Sequence, residues 1–281
     1  AAAIWLLHPM QVESVAWVTE RKNVLSMAFS LASVLAWVRF ADDDRPFAQR
    51  AGWWGLSFVL FTGAMLSKTT AVAVPCALVA VELWRRRAVT RRTVALVAPF
   101  FVLGLLLGLN TARVEATLVG ATGPEFDRSL LDRTLQAAQA WWFYVRTWFA
   151  PAEILFIHPP FDRGAFGWKA WLAVAGFLGA CAAAWKFWRS GRRGPALVLA
   201  MFTAGVFPAL GFINVYPLRY SPVAEHFAYV GTVALAAGTG WLASRFATSL
   251  RQLGRGWVGT LALCGLLLAF GVQANRVAAD Y

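Results

Sequence analysis

Nine apolar runs, separated by short polar segments, dominate this sequence. They cover residues 24–40, 52–67, 69–84, 93–109, 134–149, 169–185, 195–214, 227–243 and 257–273. Most of these runs are long enough to cross a bilayer as helices with modest tilt or local thinning. Hydrophobic residues make up 59% of the chain, which is more than a soluble domain carries. The sequence therefore predicts an all-α, polytopic membrane protein that is embedded in a lipid bilayer.

Basic residues cluster in three of the connections between these runs. The clusters are Arg85, Arg86, Arg87, Arg91 and Arg92; Lys186, Arg189, Arg192 and Arg193; and Arg245, Arg251 and Arg255. Since cytoplasmic loops carry an excess of Lys and Arg, we expect all three clusters inside. The formal net charge of +12 comes with no nucleic-acid-binding motif, so we expect no nucleic-acid partner.

The run at 134–149 does not fit a membrane span. If it crossed, the clusters at 85–92 and 186–193 would lie on opposite sides of the membrane. It also contains Gln136, Gln139 and Arg146 among aromatic residues of interfacial type. We therefore predict a helix lying on the outer face, about eight full spans, and a long outer loop from residue 110 to about 168.

The two ends of the sequence suggest a larger protein. Residues 1–7 supply only about a third of the roughly 20 residues that a spanning helix needs, so we expect them to be the end of a truncated span. The whole of 1–281 is expected to form one integral membrane domain. Its three cysteines lie in apolar runs without paired spacing, and neither a disulfide nor a zinc site is predicted.

Acids, bases and aromatic residues gather in the stretch HPMQVESVAWVTERK. If residues 11–22 form one helix, Glu13, Trp17 and Glu20 line one face of it. Such a face suits a sugar, because hydroxyl groups bind carboxylates and a C–H face packs on an indole. An interfacial helix with a Trp anchor and snorkelling cations is the alternative. The candidate residues of this stretch are Glu13, Trp17, Glu20, Arg21 and Lys22.

Two further outer segments carry candidate residues. Lys68 follows the run 52–67, where its ammonium group could bind a lipid-linked phosphate or simply snorkel to water. The second segment contains Arg219, Glu225 and His226; a helix starting near Val223 would place Glu225 and Tyr229 on one face. Glu225 is alternatively a first-turn acid favoured by the helix dipole.

Four motifs carry a resemblance to a known family: HPMQVESVAWVTERKNVLS, MLSKTTAVAVPCALVAVELW, AEHFAYV and NRVAADY. Together they resemble the membrane half of the transmembrane and tetratricopeptide-repeat O-mannosyltransferases and their bacterial relatives. These are multi-spanning glycosyltransferases of the GT-C class. The resemblance implies a GT-C-like fold and transfer of a sugar, mannose by expectation, from a polyprenyl phosphate to a protein hydroxyl.

The resemblance also implies roles for particular residues. Glu13, Glu20, Arg21 and Lys22 would line the site from an outer loop, while Lys68 and the Glu225 segment would border the lipid-phosphate pocket. Arg21, Arg219 and His226 would be further phosphate ligands. The sequence departs from the family pattern at His226, where Arg is expected, and at Thr69, where an acid is usual.

Glu13 and Glu20 are candidates for the catalytic base, although the resemblance implies that the principal acid lies upstream of residue 1. The fragment alone is therefore expected to be inactive, and tetratricopeptide repeats are expected downstream. The implied location is the bacterial inner membrane with the site facing the periplasm. No metal ligand is predicted, and the dependence on a divalent metal stays open. A non-enzymatic membrane anchor that presents the repeats to partner proteins is the alternative function.

Overall fold

The computed structural model of the chain describes residues 1–42, 45–86, 88–161 and 167–281. Within these residues the secondary structure is helical throughout, which confirms the all-α prediction. The α-helices are α1 Ala2–Leu7, α2 Val12–Ala16, α3 Arg21–Asp42, α4 Phe47–Ser67, α5 Val74–Arg86, α6 Arg91–Val114, α7 Leu130–Phe149, α8 Trp168–Arg189, α9 Arg193–Val206, α10 Thr232–Gln252 and α11 Gly256–Ala278.

Each predicted apolar run overlaps one of the helices α3 to α11. Helix α9 ends at Val206, before the end of its run, and the Pro208 that follows lies in a 3-10 turn, Phe207–Ala209, because proline cannot continue a helix. By length and composition, four helical stretches of the described residues can cross a membrane. They are Val18–Asp42, Arg91–Val119, Trp168–Arg189 and Gly256–Ala278. The larger number of eight spans stays a prediction.

Helices α3 and α4 form an antiparallel hairpin held by small polar residues. Ser26, Ser30 and Ser33 recur on one face of α3 and are buried. The Ser33 hydroxyl donates to the carbonyl oxygen of Ser57 at 2.7 Å, and the Ser57 hydroxyl returns a hydrogen bond to Ser33 O at 2.9 Å. Small residues let helix backbones approach closely in a membrane, where hydrophobic burial does not drive association.

The basic connections meet at one end of the bundle. The Arg86 guanidinium donates to the carbonyl oxygen of Ala41, next to the end of α3, at 2.7 Å. Arg193, at the beginning of α9, donates to Leu83 O in α5 at 3.3 Å. The connections α3–α4, α5–α6 and α8–α9 therefore lie at one end, which agrees with the prediction for the clusters at 85–92 and 186–193, although Arg87 itself lies outside the described residues. The location of the third cluster and the cytoplasmic side stay predictions.

Helix α7 lies across the opposite end of the bundle. Near its beginning, Arg133 donates to the carbonyl oxygen of Gly211, in the α9–α10 connection, at 2.8 Å. Near its end, the carbonyl oxygen of Trp148 lies 2.9 Å from Nε2 of His8, just after α1. Since both ends of α7 contact segments at the same end of the bundle, the geometry supports the prediction that 134–149 lies on the outer surface.

Two hydrophobic cores flank the region that carries the predicted site. One core lies among α3, α4, α5 and α6 and includes Trp37, Phe61 and Phe100. The other lies among α1, α7, α9 and the α9–α10 connection and includes Tyr144 and Phe202. Segments from both cores meet at the end of the bundle where α7 lies, and the polar side chains described below are gathered there.

Candidate functional site

The segment from His8 to Lys22 is not one continuous helix. Helix α2 ends at Ala16, Trp17 is extended with φ −74° and ψ 112°, and a 3-10 turn, Val18–Glu20, leads into α3. The prediction that residues 11–22 form a single helix is therefore wrong. Because of this bend, Glu13 and Glu20 do not line one helical face, yet both side chains are buried and each meets a cation or an imidazole from a distant segment.

Glu20 forms the centre of a cationic cluster. Its Oε2 lies 2.6 Å from the Nζ of Lys68, and its Oε1 lies 3.1 Å from the Nζ of Lys22. The amide nitrogen of Asn23 donates to the same Oε2 at 2.8 Å. Two ammonium groups and one carboxylate leave one net positive charge, and Lys22 keeps 45% of its side chain exposed. The cluster can therefore attract an anion from the surrounding solvent.

The position of Lys68 follows from the break between α4 and α5. Helix α4 ends at Ser67, Lys68 is extended with φ −158° and ψ 131°, and a 3-10 turn, Thr69–Ala73, precedes α5. This break turns Lys68 inward, towards Glu20. Burial lowers the pKa of the Lys68 ammonium, whereas the neighbouring Glu20 carboxylate acts in the opposite direction.

Glu13 is held by one residue, His226. The backbone N–H of His226 donates to Glu13 Oε2 at 2.8 Å. The His226 Nδ1 lies 2.7 Å from Glu13 Oε1, but the ring lacks the alignment of a hydrogen bond to that oxygen, so this is a close polar contact. The two residues are 213 positions apart in the chain, which makes this contact a long-range link across the site.

Asn23 joins the two carboxylate clusters. Besides Glu20, its amide nitrogen donates to the hydroxyl of Ser14 at 3.0 Å and lies 3.4 Å from the carbonyl oxygen of His226. One amide group thus contacts α2, the Lys68 cluster and the α9–α10 connection. The predicted residues Glu13, Glu20, Lys22, Lys68 and His226 are therefore parts of one continuous polar site.

Glu225 lies beside this site in a buried pair with His158. The Nε2 of His158 lies 2.9 Å from Oε1 and 3.1 Å from Oε2 of Glu225. Burial raises the pKa of the Glu225 carboxyl, against the opposing effect of the hydrogen bond from His158. The segment forms a 3-10 turn, Glu225–Ala228, and α10 begins only at Thr232. The predicted helix start near Val223 is therefore wrong.

Aromatic rings cover the same region. The ring of Trp17 packs edge-on against Phe156, with centroids 4.9 Å apart, and against His226, with centroids 5.8 Å apart. Tyr281 contacts the other side of Phe156, with centroids 5.9 Å apart. These aromatic rings provide the apolar surface on which the C–H face of a sugar can pack.

Two of the candidate residues make their described contacts elsewhere. Arg21 is exposed, and its Nε donates to the carbonyl oxygen of Val18 at 3.2 Å. Arg219 lies 3.1 Å from Glu125 and keeps about half of its side chain exposed. Their predicted roles at the phosphate stay predictions.

His158 and Asn23 are the members of the site that sequence reasoning missed. His158 lacks the spacing of a metal ligand, and its partner lies 67 positions further along the chain, so no local pattern connects them. Asn23 appears in the sequence as an ordinary residue near the start of an apolar run. In the part of the chain that the structure describes, His, Cys, Asp and Glu side chains do not form a group of three that would hold a metal ion.

Comparison with known proteins gives a match over the N-terminal part of the chain. Residues 1–109 match the model of the dolichyl-phosphate-mannose-protein mannosyltransferase family. The match confirms the resemblance over a segment that contains Glu13, Glu20 and Lys68, and it points to a membrane glycosyltransferase of the GT-C type. Glu225 and His226 lie outside the matched segment. Neither the curated proteins nor the solved structures include a match to this chain.

Proposed function

We propose that this chain, whose residues 1–109 match the mannosyltransferase family, transfers a sugar, with mannose as the expectation, from a polyprenyl phosphate to a hydroxyl group of a protein. The transfer would take place on the outer face of the membrane, in bacteria the periplasmic face. The observation that carries the proposal is the meeting of Lys68, Lys22 and Glu20 with Glu13 and His226 at the outer end of the bundle.

The cationic cluster is suited to the donor phosphate. Lys68 and Lys22 both contact the carboxylate of Glu20, which keeps the two ammonium groups close together despite their like charge. When sugar transfer begins, negative charge develops on the departing phosphate, and ammonium groups fixed beside it stabilise that charge. Because Lys68 is largely removed from water, its charge acts in a medium of low dielectric constant and is therefore more effective.

An apolar cavity lies in the bundle, and the 3-10 turn that follows Lys68 lines part of it. Its volume is about 750 Å³, and it lies between α5, α6, α8 and α9. Val72 and Ala73, which follow Lys68 in the chain, line one end, and Leu83 and Trp188 line the other. Such a cavity suits the hydrocarbon chain of a polyprenyl donor whose phosphate is bound at Lys68.

The acceptor hydroxyl must lose a proton to a carboxylate base during the transfer. Of the two candidate acids, Glu20 is engaged by two ammonium groups, which weaken its basicity. Glu13 faces an imidazole and a backbone N–H group. The contacts therefore favour Glu13 as the base within this chain, with Trp17 beside it as a surface for the sugar.

A substitution at Lys68 tests the proposed function. We expect Lys68→Ala to lower transfer from a radiolabelled mannosyl-phosphoryl-polyprenol to a serine-containing peptide by about 30-fold to 1000-fold, since one phosphate-binding charge in a buried site contributes roughly 2–4 kcal/mol. The assay uses membranes that contain the complete gene product. The matched control is Lys169→Ala, which removes an exposed lysine from the first turn of α8 and is expected to leave the rate unchanged. Equal rates for both variants would contradict a phosphate-binding role of Lys68.

A further inference from the structure

Two carboxylate–imidazole pairs have neighbouring members in one turn of the chain. Glu225 and His226 are neighbours at the start of the 3-10 turn Glu225–Ala228. Glu225 pairs with His158, from the segment after α7, while His226 pairs with Glu13 of α2. All four side chains are at least nine-tenths buried, with exposures between 1% and 7%. Through these adjacent side chains, the turn contacts two other segments of the chain: α2 and the segment after α7.

His158 is fixed to this turn by more than its ring. Its backbone N–H donates to the hydroxyl of Ser221 at 3.0 Å. The Ser221 hydroxyl donates in turn to the carbonyl oxygen of Val223. Phe143 of α7 packs edge-on against the imidazole, with ring centroids 4.7 Å apart. The imidazole is thus held in a defined orientation, and its Nε2 lies within hydrogen-bond distance of both oxygens of Glu225.

We propose that His158 is a positioning residue for Glu13: by holding Glu225, it fixes the turn on which His226 meets Glu13. This inference rests on the proposed function, in which Glu13 is the carboxylate base. Without the imidazole, the buried Glu225 carboxylate must find water or take up a proton, since an unpaired buried charge is costly. Either change moves the backbone at residue 225. Residue 226 follows directly, so the movement alters the contact between His226 and Glu13.

Steady-state kinetics of the complete protein in membranes test this role, with mannosyl-phosphoryl-polyprenol as the donor. We expect His158→Ala to lower kcat about tenfold or more and to leave the donor KM within about threefold, because the altered contact is that of Glu13, the proposed base, whereas the lysines at the donor phosphate keep their contacts. His158→Gln retains a side-chain N–H that can donate to Glu225, and it is expected to restore kcat to within about threefold of the original value.

Hydrogen exchange gives a second measurement that does not depend on activity. The His226 amide donates to Glu13, so its exchange rate reports on the contact that His158 is proposed to maintain. We expect His158→Ala to accelerate exchange at this amide about tenfold or more, since a lost local hydrogen bond lowers the free energy of local opening. His8→Gln is the matched control, because His8 is another buried histidine whose described contacts are with other segments.

Each outcome decides the proposal. A lower kcat, rescue by glutamine and faster exchange at His226 would support it. An unchanged kcat in His158→Ala, or a raised donor KM alone without rescue by glutamine, would show that His158 does not position Glu13. If the unaltered protein transfers no sugar, the proposed function fails, and the exchange experiment still decides whether His158 holds the turn: unchanged exchange at His226 would overturn that idea as well.

Discussion

The imidazole of His8 is held as a neutral ring by contacts on both nitrogens. Its Nδ1 accepts a hydrogen bond from the backbone N–H of Met10 at 3.2 Å, and its Nε2 lies 2.9 Å from the carbonyl oxygen of Trp148. The ring also stacks on the indole of Trp148, with centroids 4.2 Å apart. A second proton on Nδ1 would oppose the N–H of Met10. Burial accordingly lowers the pKa of His8 from about 6.5 to about 4.

This arrangement predicts a loss of stability in mild acid. Between pH 6.5 and pH 4 the unfolded chain binds a proton at His8 that the folded chain does not, so stability should fall as the pH falls through this interval. Because about two and a half pKa units separate the states, the effect is on the order of 3 kcal/mol. Thermal unfolding in detergent, measured across this range, should show a smaller dependence on pH for His8→Gln. An equal dependence of the melting temperature on pH for the unaltered protein and for His8→Gln would contradict the prediction.

At the scale of elements, α9 meets the segment before α10 through two glycines. A Cβ atom added to Gly205 would lie 2.4 Å from the Cα of Gly231, and one added to Gly231 would lie 2.9 Å from a methyl group of Val206. The backbones touch here because neither residue has a side chain. This contact places the end of α9 directly beside the connection that carries Glu225 and His226.

A methyl group at Gly205 should therefore separate the two elements. We expect Gly205→Ala to reduce stability by about 1–3 kcal/mol, the usual cost of forcing extra volume into a packed contact, and to lower the yield of folded protein. Gly265→Ala in α11 is the matched control, since its Cβ would meet no atom within 4 Å and alanine favours a helix by roughly 0.5–1 kcal/mol. The melting temperatures of both variants in detergent provide the measurement. Equal values would show that α9 can shift without a loss of stability.

Elements of different kinds were predictable to different degrees. The long helices follow from apolar runs, because a polypeptide in lipid must satisfy its backbone hydrogen bonds within each segment. The 3-10 turns that carry Glu20 and Glu225 did not follow, since each is stabilised by side chains far along the sequence. The charged residues of the site could therefore be identified from the sequence, but their local structure could not. The helices assumed for 11–22 and from Val223 were wrong.

At the scale of the whole molecule, the position of α7 determines the topology. With α7 lying on the outer surface, single cysteines at Ala88 and Gly191 should react with a membrane-impermeant reagent only from the cytoplasm, and those at Gly123 and Ala152 only from outside. All four positions are exposed. The native Cys76, Cys181 and Cys264 must first be replaced by alanine. Labelling of Gly123 and Ala152 from opposite sides would show that α7 crosses the membrane.

The site as a whole could be predicted only in part. The charged residues on both sides of the site could be identified from the sequence. The resemblance indicated that the segments around Glu13, Lys68 and Glu225 belong together. The pairing of Glu13 with His226 and of Glu225 with His158 could not be predicted from the sequence, because the separation of two residues along the chain does not determine whether their side chains meet. That selection depends on the packing of α7 and on the bend at Trp17, which are properties of the folded molecule.

The separation of the paired residues along the chain has a consequence for biosynthesis. Lys68 is only 48 positions after Glu20, so at about 5–20 residues per second the ribosome supplies it within about 2–10 s. Glu13 must wait for His226, which is 213 positions away and emerges about 10–40 s later. During that interval the Glu13 carboxylate enters the membrane region without its partner. The half of the site around Lys68 can thus assemble early, whereas the half around Glu13 is completed only when most of the chain has been made.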